Sequence, residues 1–362
     1  MNPVSYEIFH AERLKDFVRA IFESQGFSEE HALTCAEVLV SADARGIDSH
    51  GVARLSGYLR LIEKGRINPK PHMVFQQERK AIAQLNADGA IGLVSAPAAM
   101  QRAIEITQEL GSGWCGIHNS NHFGIAGYHA LMAVEHDFFG MAMTNASPLV
   151  SPSGGKERML GTNPIAVAVP AGEEPPFVLD MATSAAANGK LEIAQRQNKP
   201  IPEGWVMNSD GTNSKDPLAL KAGGLLLGLG SDADHGYHKG YGLGAWVDIF
   251  SGVLNGGSFG PWAPPFVAFL DPVDNQPGKG LGHFVGCWDP AAFRDLQEFK
   301  QAMDLWIRRF RQTAPIDPHR PVLVPGDPER TLELERKESG IPIISAVVKD
   351  LENISQQCGV SL

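Results

Sequence analysis

Asp48-Ser49-His50-Gly51-Val52 sets an imidazole beside a hydroxyl and a carboxylate, with a glycine that lets the backbone turn tightly. Arg54 and Tyr58 follow. If helix resumes after Gly51, His50, Arg54 and Tyr58 fall at i, i+4 and i+8 on one face, which aims an acid/base, a carboxylate clamp and a phenol together. The same residues also make an ordinary polar helix junction with a surface arginine, and spacing alone leaves both readings open.

A second cluster, His118-Asn119-Ser120-Asn121-His122-Phe123-Gly124, closes an apolar run and opens the next helical segment, a strand-to-helix turn of the kind that presents reactive side chains in α/β proteins. His122 is the better placed of its two histidines. His118 and His122 have the spacing of a zinc pair, but that geometry needs a helix, and the Asn, Ser and Gly residues argue for a loop. No metal is expected. The cluster also reads as turn residues satisfying their own backbone, with His129 and His136 as plain helix residues.

Further along, Gly161-Thr162-Asn163-Pro164 precedes an apolar run, and Phe177-Val178-Leu179-Asp180-Met181-Ala182-Thr183-Ser184 is an apolar strand ending in an acid and hydroxyls. Strand ends are where open sheets bind ligands, although each stretch alone reads equally as a turn. Gly228–Ala233 matches the dinucleotide pattern GxGxxA, but Asp232, Asp234, His235 and Gly236 stand where the phosphate-binding helix must begin, so the match is rejected. His238-Lys239 then opens a helix carrying Leu243, Val247, Phe250 and Leu254; Lys239 there suits a phosphate or carboxylate, or is a solvated cation. Nucleophile-elbow, zinc-protease, P-loop and kinase motifs are absent, which removes the usual support for hydrolysis and phosphoryl transfer. Proton transfer by histidine remains.

The elements that must position these residues begin with a helical first seventy residues, in which Ser28 caps a helix that stops near Gly46. From Ala81 short apolar runs alternate with helices, a mixed α/β texture, with a boundary near Pro69–Pro71. Ser95 is expected to cap a helix with Pro97 in its first turn and Gly111 as its stop. Strands are expected at Trp114–Ile117, Gly140–Thr144, Ile165–Val169, Phe177–Asp180, Phe266–Leu270 and Phe284–Cys287. Asp289 and Pro290 should open a long helix burying Phe293, Leu296, Phe299, Met303, Trp306 and Phe310, and a last helix should start at Ser345.

Composition narrows the partners. The chain has 362 residues, 43% hydrophobic and 20% charged, with a formal charge of −10, which excludes disorder and small disulfide scaffolds. An acidic balance without a Lys/Arg run gives nucleic acid or an anionic membrane nothing to grip. The longest uncharged stretch, Ser251–Leu270, is broken by Gly and Pro and reads as no membrane span. Four cysteines lie far apart without a CxxC pair, and the N-terminus lacks a signal-peptide pattern, so a cytoplasmic protein with small-molecule partners is expected.

IDSHGVARLSGY from Ile47, SNHFG from Ser120, GTNPIAVAVP from Gly161, LDMATS from Leu179, HKGYGL from His238 and VPGDPE from Val324 occur in one order. Together they resemble the type-2 malate/L-lactate dehydrogenase family, which also includes ureidoglycolate, sulfolactate, diketogulonate and cyclic-imine carboxylate oxidoreductases. The resemblance runs nearly end to end, departing at Leu218–Gly236, which is longer and richer in glycine than the family pattern. It implies an α/β (α+β-like) fold: a non-Rossmann NAD(P)-binding core with a large mixed sheet, and a helical domain from the N-terminal segment and C-terminal helices. The corresponding division is 1–72 with the DSHGV motif, 73–312 as cofactor and substrate core, and 313–362 packing back on the helical part.

The resemblance further implies hydride transfer between NAD or NADP, with NAD ahead, and a 2-hydroxy or 2-oxo acid, in a homodimer. It gives His50 the proton-donor role of several members and His122 the acid/base role of others, and it makes Arg54 the carboxylate clamp. Ser49, Tyr58, Thr162 and Asn163 join Arg54 around substrate. Val178, Leu179, Asp180, Met181, Ala182, Thr183 and Ser184 match the family's cofactor strand, His238 and Lys239 a second contact, and Gly326, Asp327 and Pro328 a third. The alternatives are a reductase of a keto sugar acid, ureidoglycolate or a cyclic imine carboxylate, and a cofactor-binding protein without turnover.

Overall fold

Ser28 accepts a hydrogen bond from the His31 amide at 3.2 Å, and Glu29 and Glu30 sit at the positive end of the helix it caps. That helix and its neighbours belong to a computed structural model that describes residues 5–362, without the side chains of 77 and 78. The described residues begin with strand β1 (Tyr6–Phe9) and helices α1 (Ala11–Ser24), α2 (Glu29–Ala44) and α3 (Leu55–Glu63). The chain enters the main sheet through β2 (Val74–Arg79) and β3 (Ile82–Asn86), then runs through α4 (Gly92–Leu110), β4 (Ser112–Ser120), α5 (Ala126–Val134), β5 (Phe139–Thr144), β6 (Ile165–Val169) and β7 (Phe177–Met181). Helix α6 (Asn188–Arg196) leads to three short strands, β8 (Val206–Met207), β9 (Asn213–Ser214) and β10 (Leu225–Leu226). Helix α7 (Tyr237–Asp248), strand β11 (Leu281–Trp288), helices α8 (Leu296–Arg311) and α9 (Asp327–Ser339), strand β12 (Ile341–Ile344) and helix α10 (Ser345–Cys358) complete it.

The large sheet has seven strands in the order β2-β3-β4-β11-β5-β6-β7; β3 and β4 are parallel and the other neighbours antiparallel. This is the mixed, non-Rossmann sheet expected. Small residues let helices sit close on it: a Cβ at Gly140 would fall 1.9 Å from the Ala130 carbonyl of α5, and one at Gly113 would fall 2.2 Å from Ala103 of α4. A separate core joins α1–α3 to Ile341, Ile343, Val347, Val348 and Leu351, so β12 and α10 pack against the N-terminal helices. Strand β1 pairs antiparallel with β12, tying the two ends of the chain together. Among the described residues no helix is long and apolar enough to cross a membrane.

Several expected elements are corrected. Helix α4 starts at Gly92, a turn before Ser95, because Gly92 can press against the Asn121 carbonyl where a Cβ would come within 2.2 Å. Ser95 is thus interior, bonded to the Ser120 hydroxyl at 2.7 Å, and Pro97 lies inside the helix; Gly111 ends it as expected, at φ +80°. Phe266–Leu270 is a turn, not a strand, since the Pro264 and Pro265 carbonyls are taken by the Arg66 guanidinium at 3.0 and 2.5 Å. Asp289 caps only a short 3-10 turn, and Asp295 starts α8 anew. Of the expected buried residues, Leu296, Phe299 and Met303 are half-buried, Trp306 and Phe310 are exposed at 39% and 47%, and Phe293, at 80%, lies before the helix. The helix is docked through the buried Ile307 and through Asp304, whose carboxylate accepts the amides of Gly172, Glu173 and Glu174 at 2.9–3.0 Å.

Candidate active site

The turn after α2 is built by glycine. Gly46 ends the helix at φ +76°, and a Cβ at Gly51 would fall 2.0 Å from the Asp43 carboxylate, so only glycine lets the loop close over that acid. Asp43 is buried and accepts the Val52 amide at 2.8 Å; desolvation pushes its carboxyl well above the usual range. A 3-10 turn, Val52–Arg54, then leads into α3, so helix does resume after Gly51 and carries Arg54 and Tyr58 on from His50.

His122 comes from the other side. Strand β4 runs to Ser120, and Asn121 fastens the turn beyond it: its side-chain amide donates to the carbonyls of Gly89 and Ala90 at 3.0 and 3.1 Å and accepts from Arg66 Nε at 3.0 Å. His118 lies inside β4, so the two histidines do not share a helix face.

The two elements meet at the rings. His50 and His122 stack with centroids 5.7 Å apart and planes 19° apart, and Phe266 stacks on His122 at 4.6 Å. His50 Nδ1 lies 2.8 Å from the Ser49 hydroxyl, and the Tyr58 hydroxyl lies 2.7 Å from His122 Nδ1. Arg54 Nε donates to the Ser49 carbonyl at 2.5 Å, and its Nη2 stands 3.3 Å from Glu192. His50, Arg54, His122, Thr162, Asn188 and Phe266 are among the walls of one small cavity. Burial, then the Arg54 charge, lowers His50 to about 3; burial, then the charges of His50, Arg54, His283 and Arg66, puts His122 well below its ordinary value. Each ring keeps an edge open to the cavity, and the direction of the shift decides the chemistry: both are neutral at neutral pH.

The cavity opens at His50, Thr162 and Ala187 into a groove of about 500 Å³. The groove passes Asp48, Ser49, Met181, Ala182 and Ser184 to Asp180 and Glu329, where a further cavity of about 270 Å³ continues along Val178, Leu179, Gly326 and Pro328. Asp180 holds the Gly127 amide at 2.8 Å and stays open to the groove, while the surrounding walls desolvate it enough to raise it to about 6.

The structure thus brings together His50, His122, Arg54, Ser49 and Thr162 on one side and Val178, Leu179, Asp180, Met181, Ala182, Ser184, Gly326 and Pro328 on the other. Tyr58 is fully buried behind His122. Asn163 is buried as well, donating to the Gly244 carbonyl at 2.9 Å, and Thr183 lies beneath, bonded to the carbonyls of Thr162 and Asn163 at 3.2 and 3.0 Å. Asp327 is turned to Arg311 at 2.5 Å and to the Val324 amide at 2.8 Å. His238 and Lys239 stand exposed in the first turn of α7, outside the walls of these three cavities.

Sequence reasoning missed Asn188, Gly189, Glu192 and Phe266. Gly189 lets α6 press on the Ser49–Arg54 loop, since a Cβ there would fall 2.5 Å from Ser49 Cβ and 3.0 Å from Arg54 Nη2. The one available signal was that Ala187-Asn188-Gly189 follows directly on the strand end at Ser184.

Fold and site together define a dehydrogenase-like architecture, a mixed sheet with a groove ending at paired imidazoles. A family model described as malate/L-lactate dehydrogenase matches residues 9–352, and the chain belongs to that family. It is 39% identical to the malate dehydrogenase of Pyrococcus abyssi over 350 residues, 96% of this chain and 94% of that one. It is 36% identical to the malate/(S)-sulfolactate dehydrogenase of Methanothermus fervidus, over 98% of this chain and 99% of that one. The solved malate dehydrogenase of Pyrococcus horikoshii OT3 superposes with a TM-score of 0.88 at 35% identity, covering 100% of this chain and 99% of its own.

Proposed function

We propose that the protein is an NAD(P)-dependent oxidoreductase that interconverts a malate- or lactate-like 2-hydroxy acid and its 2-oxo acid. The observation that carries this reading is the convergence of Arg54, His50 and His122 on one cavity that opens into the long groove. The residues present fit a dinucleotide: the groove is continuous from the imidazoles to Gly326, and Asp180 and Glu329 supply acceptors for ribose hydroxyls at its far part. Those two carboxylates also repel a 2′-phosphate, which supports NAD ahead of NADP. Bound nicotinamide would supply the hydride acceptor and donor at C4.

The chain's own residues do the rest. The Arg54 guanidinium is pre-set by Ser49 and Glu192, and a substrate carboxylate paired with it would have its C2 held beside the imidazoles. Neutral imidazole accepts the hydroxyl proton in oxidation. In reduction the bound carboxylate raises the local imidazole pKa, so that the ring can carry the proton it delivers to the forming alkoxide. Phe266, stacked on His122, covers one side of the site.

The unpaired cysteines support a reducing, cytoplasmic compartment. Leu243, Ile249, Val253 and Leu254, all exposed on α7 and the turn after it, support a homodimer. The test is loss of NADH or NADPH absorbance with oxaloacetate, pyruvate, 2-oxoglutarate, sulfopyruvate, diketogulonate and a cyclic imine carboxylate. Turnover of one of the first four is expected. Turnover of only the last two moves the assignment to a keto-sugar-acid or cyclic-imine reductase, and tight cofactor binding without any turnover moves it to a non-catalytic role.

A further inference from the structure

Two groups meet His122 Nδ1. The Tyr58 hydroxyl lies 2.7 Å from it and the Gly124 amide nitrogen 3.3 Å from it. A backbone N–H can only donate, so Nδ1 is an acceptor, and the ring proton resides on Nε2. Tyr58 must then donate as well. Its ring is held for that purpose, fully buried, with Phe266 edge-on at 5.0 Å and Phe22 tilted at 6.4 Å. The phenol reaches the cavity only through His122, which places it one residue back from any substrate.

A second proton on His122 would go to Nδ1 and set N–H against the Gly124 N–H. Every charged or titratable group facing the ring opposes that cation or leaves it unaided: Arg54 and Arg66 are positive, the half-buried His50 and the buried His283 are neutral, and Tyr58 keeps its proton. His50 differs. Its Nδ1 meets only the Ser49 hydroxyl, which can accept from an Nδ1–H and leave the other nitrogen as a lone pair.

We propose that Tyr58 is a positioning residue that fixes His122 as a neutral Nε2–H donor, so that His122 polarises the substrate oxygen and His50 alone exchanges the proton. The inference rests on the proposed reaction for its consequence and on the hydrogen bonds alone for its geometry. In oxidation the C2–H bond breaks with its electron pair leaving as hydride to oxidised nicotinamide, the O–H bond breaks with its proton passing to His50, and the C2–O bond becomes a carbonyl. His122 keeps its proton throughout. Reduction runs the same steps in reverse.

The test reads the tautomer directly, by ring-nitrogen NMR of the full-length protein labelled with 15N-histidine. The signals are assigned by comparison with His122→Gln and His50→Gln. The expected result is a neutral, Nε2-protonated His122 from about pH 5 to 8, in a range where an ordinary histidine titrates. In Tyr58→Phe the His122 signals should move toward a mixture of tautomers, with kcat down about tenfold, the effect of one hydrogen bond, and KM changed less than about twofold. Unchanged NADH binding reports that the variant is folded. A wild-type His122 that is Nδ1-protonated or charged at neutral pH overturns the proposal without any variant, as does a folded Tyr58→Phe with wild-type tautomer and kcat. The spectrum needs no turnover, so failure of the dehydrogenase reading leaves the tautomer result standing on its own.

Discussion

Arg54, in the wall of the histidine cavity, faces Glu192 at 3.3 Å, and Asn188 steadies the same glutamate with a 2.9 Å hydrogen bond. If Arg54 is the carboxylate clamp, Glu192 both pre-orients its guanidinium and competes with the incoming carboxylate. A competitor that shares the clamp weakens ground-state binding without touching the reacting atoms.

Glu192→Gln should therefore lower KM for the oxo acid severalfold at nearly constant kcat. Arg54→Lys loses the planar fork and should raise KM by about a hundredfold, the worth of a charge-assisted bidentate pair. Steady-state kinetics with one oxo acid checks both, and a KM for Arg54→Lys equal to wild type removes the clamp from the account.

His50→Gln should cost about 10²–10⁴ in kcat, the usual worth of a general acid/base. His122→Gln keeps an N–H donor and should cost about tenfold, roughly one hydrogen bond. Measured kcat values settle the order. If both variants turn over as wild type does, neither histidine has the role given to it.

The depressed pKa of His50, lowered by burial and then by Arg54, predicts a proton taken up when the oxo acid binds. The free site is neutral at pH 7, and the bound carboxylate favours the imidazolium, so binding should weaken as pH rises above the free-site value of about 3 toward the raised value in the complex. Calorimetry in buffers of different ionisation enthalpy should find about one proton absorbed per site in the ternary complex. Zero uptake at pH 7 contradicts a proton delivered from His50.

Gly51→Ala and Gly189→Ala should separate stability from binding. A Cβ at Gly51 collides with the buried Asp43 carboxylate at 2.0 Å. Overpacking there should destabilise the fold by about 1–3 kcal/mol, seen as a lower Tm. At Gly189 the Cβ meets Ser49 and Arg54, so the expected effect is a raised KM with little change in Tm.

Much of this site was legible because its signals are local. The capped helix at Ser28, strand Ile165–Val169 and the run from His50 through Arg54 to Tyr58 follow from neighbours within a few residues. Glu192 and Phe266 were not legible, since each meets His50, Arg54 or His122 only through tertiary packing. Phe266–Leu270 has the composition of a strand, yet the Pro264 and Pro265 carbonyls leading into it are held by Arg66, far away in sequence. On α8 the apolar pattern is followed only in part: Asp304, bound to three backbone amides, and Ile307 are buried, while Trp306 and Phe310 stay exposed.

The most direct test of the central claim follows the hydride itself. NADH carrying deuterium at both C4 positions is incubated with the protein and the preferred oxo acid, and the product is examined by mass spectrometry. The account predicts one deuterium at C2 of the 2-hydroxy acid, lost when Arg54 and His50 are both replaced. A reduced product without deuterium at C2, or NADH that binds and is never consumed, would contradict it.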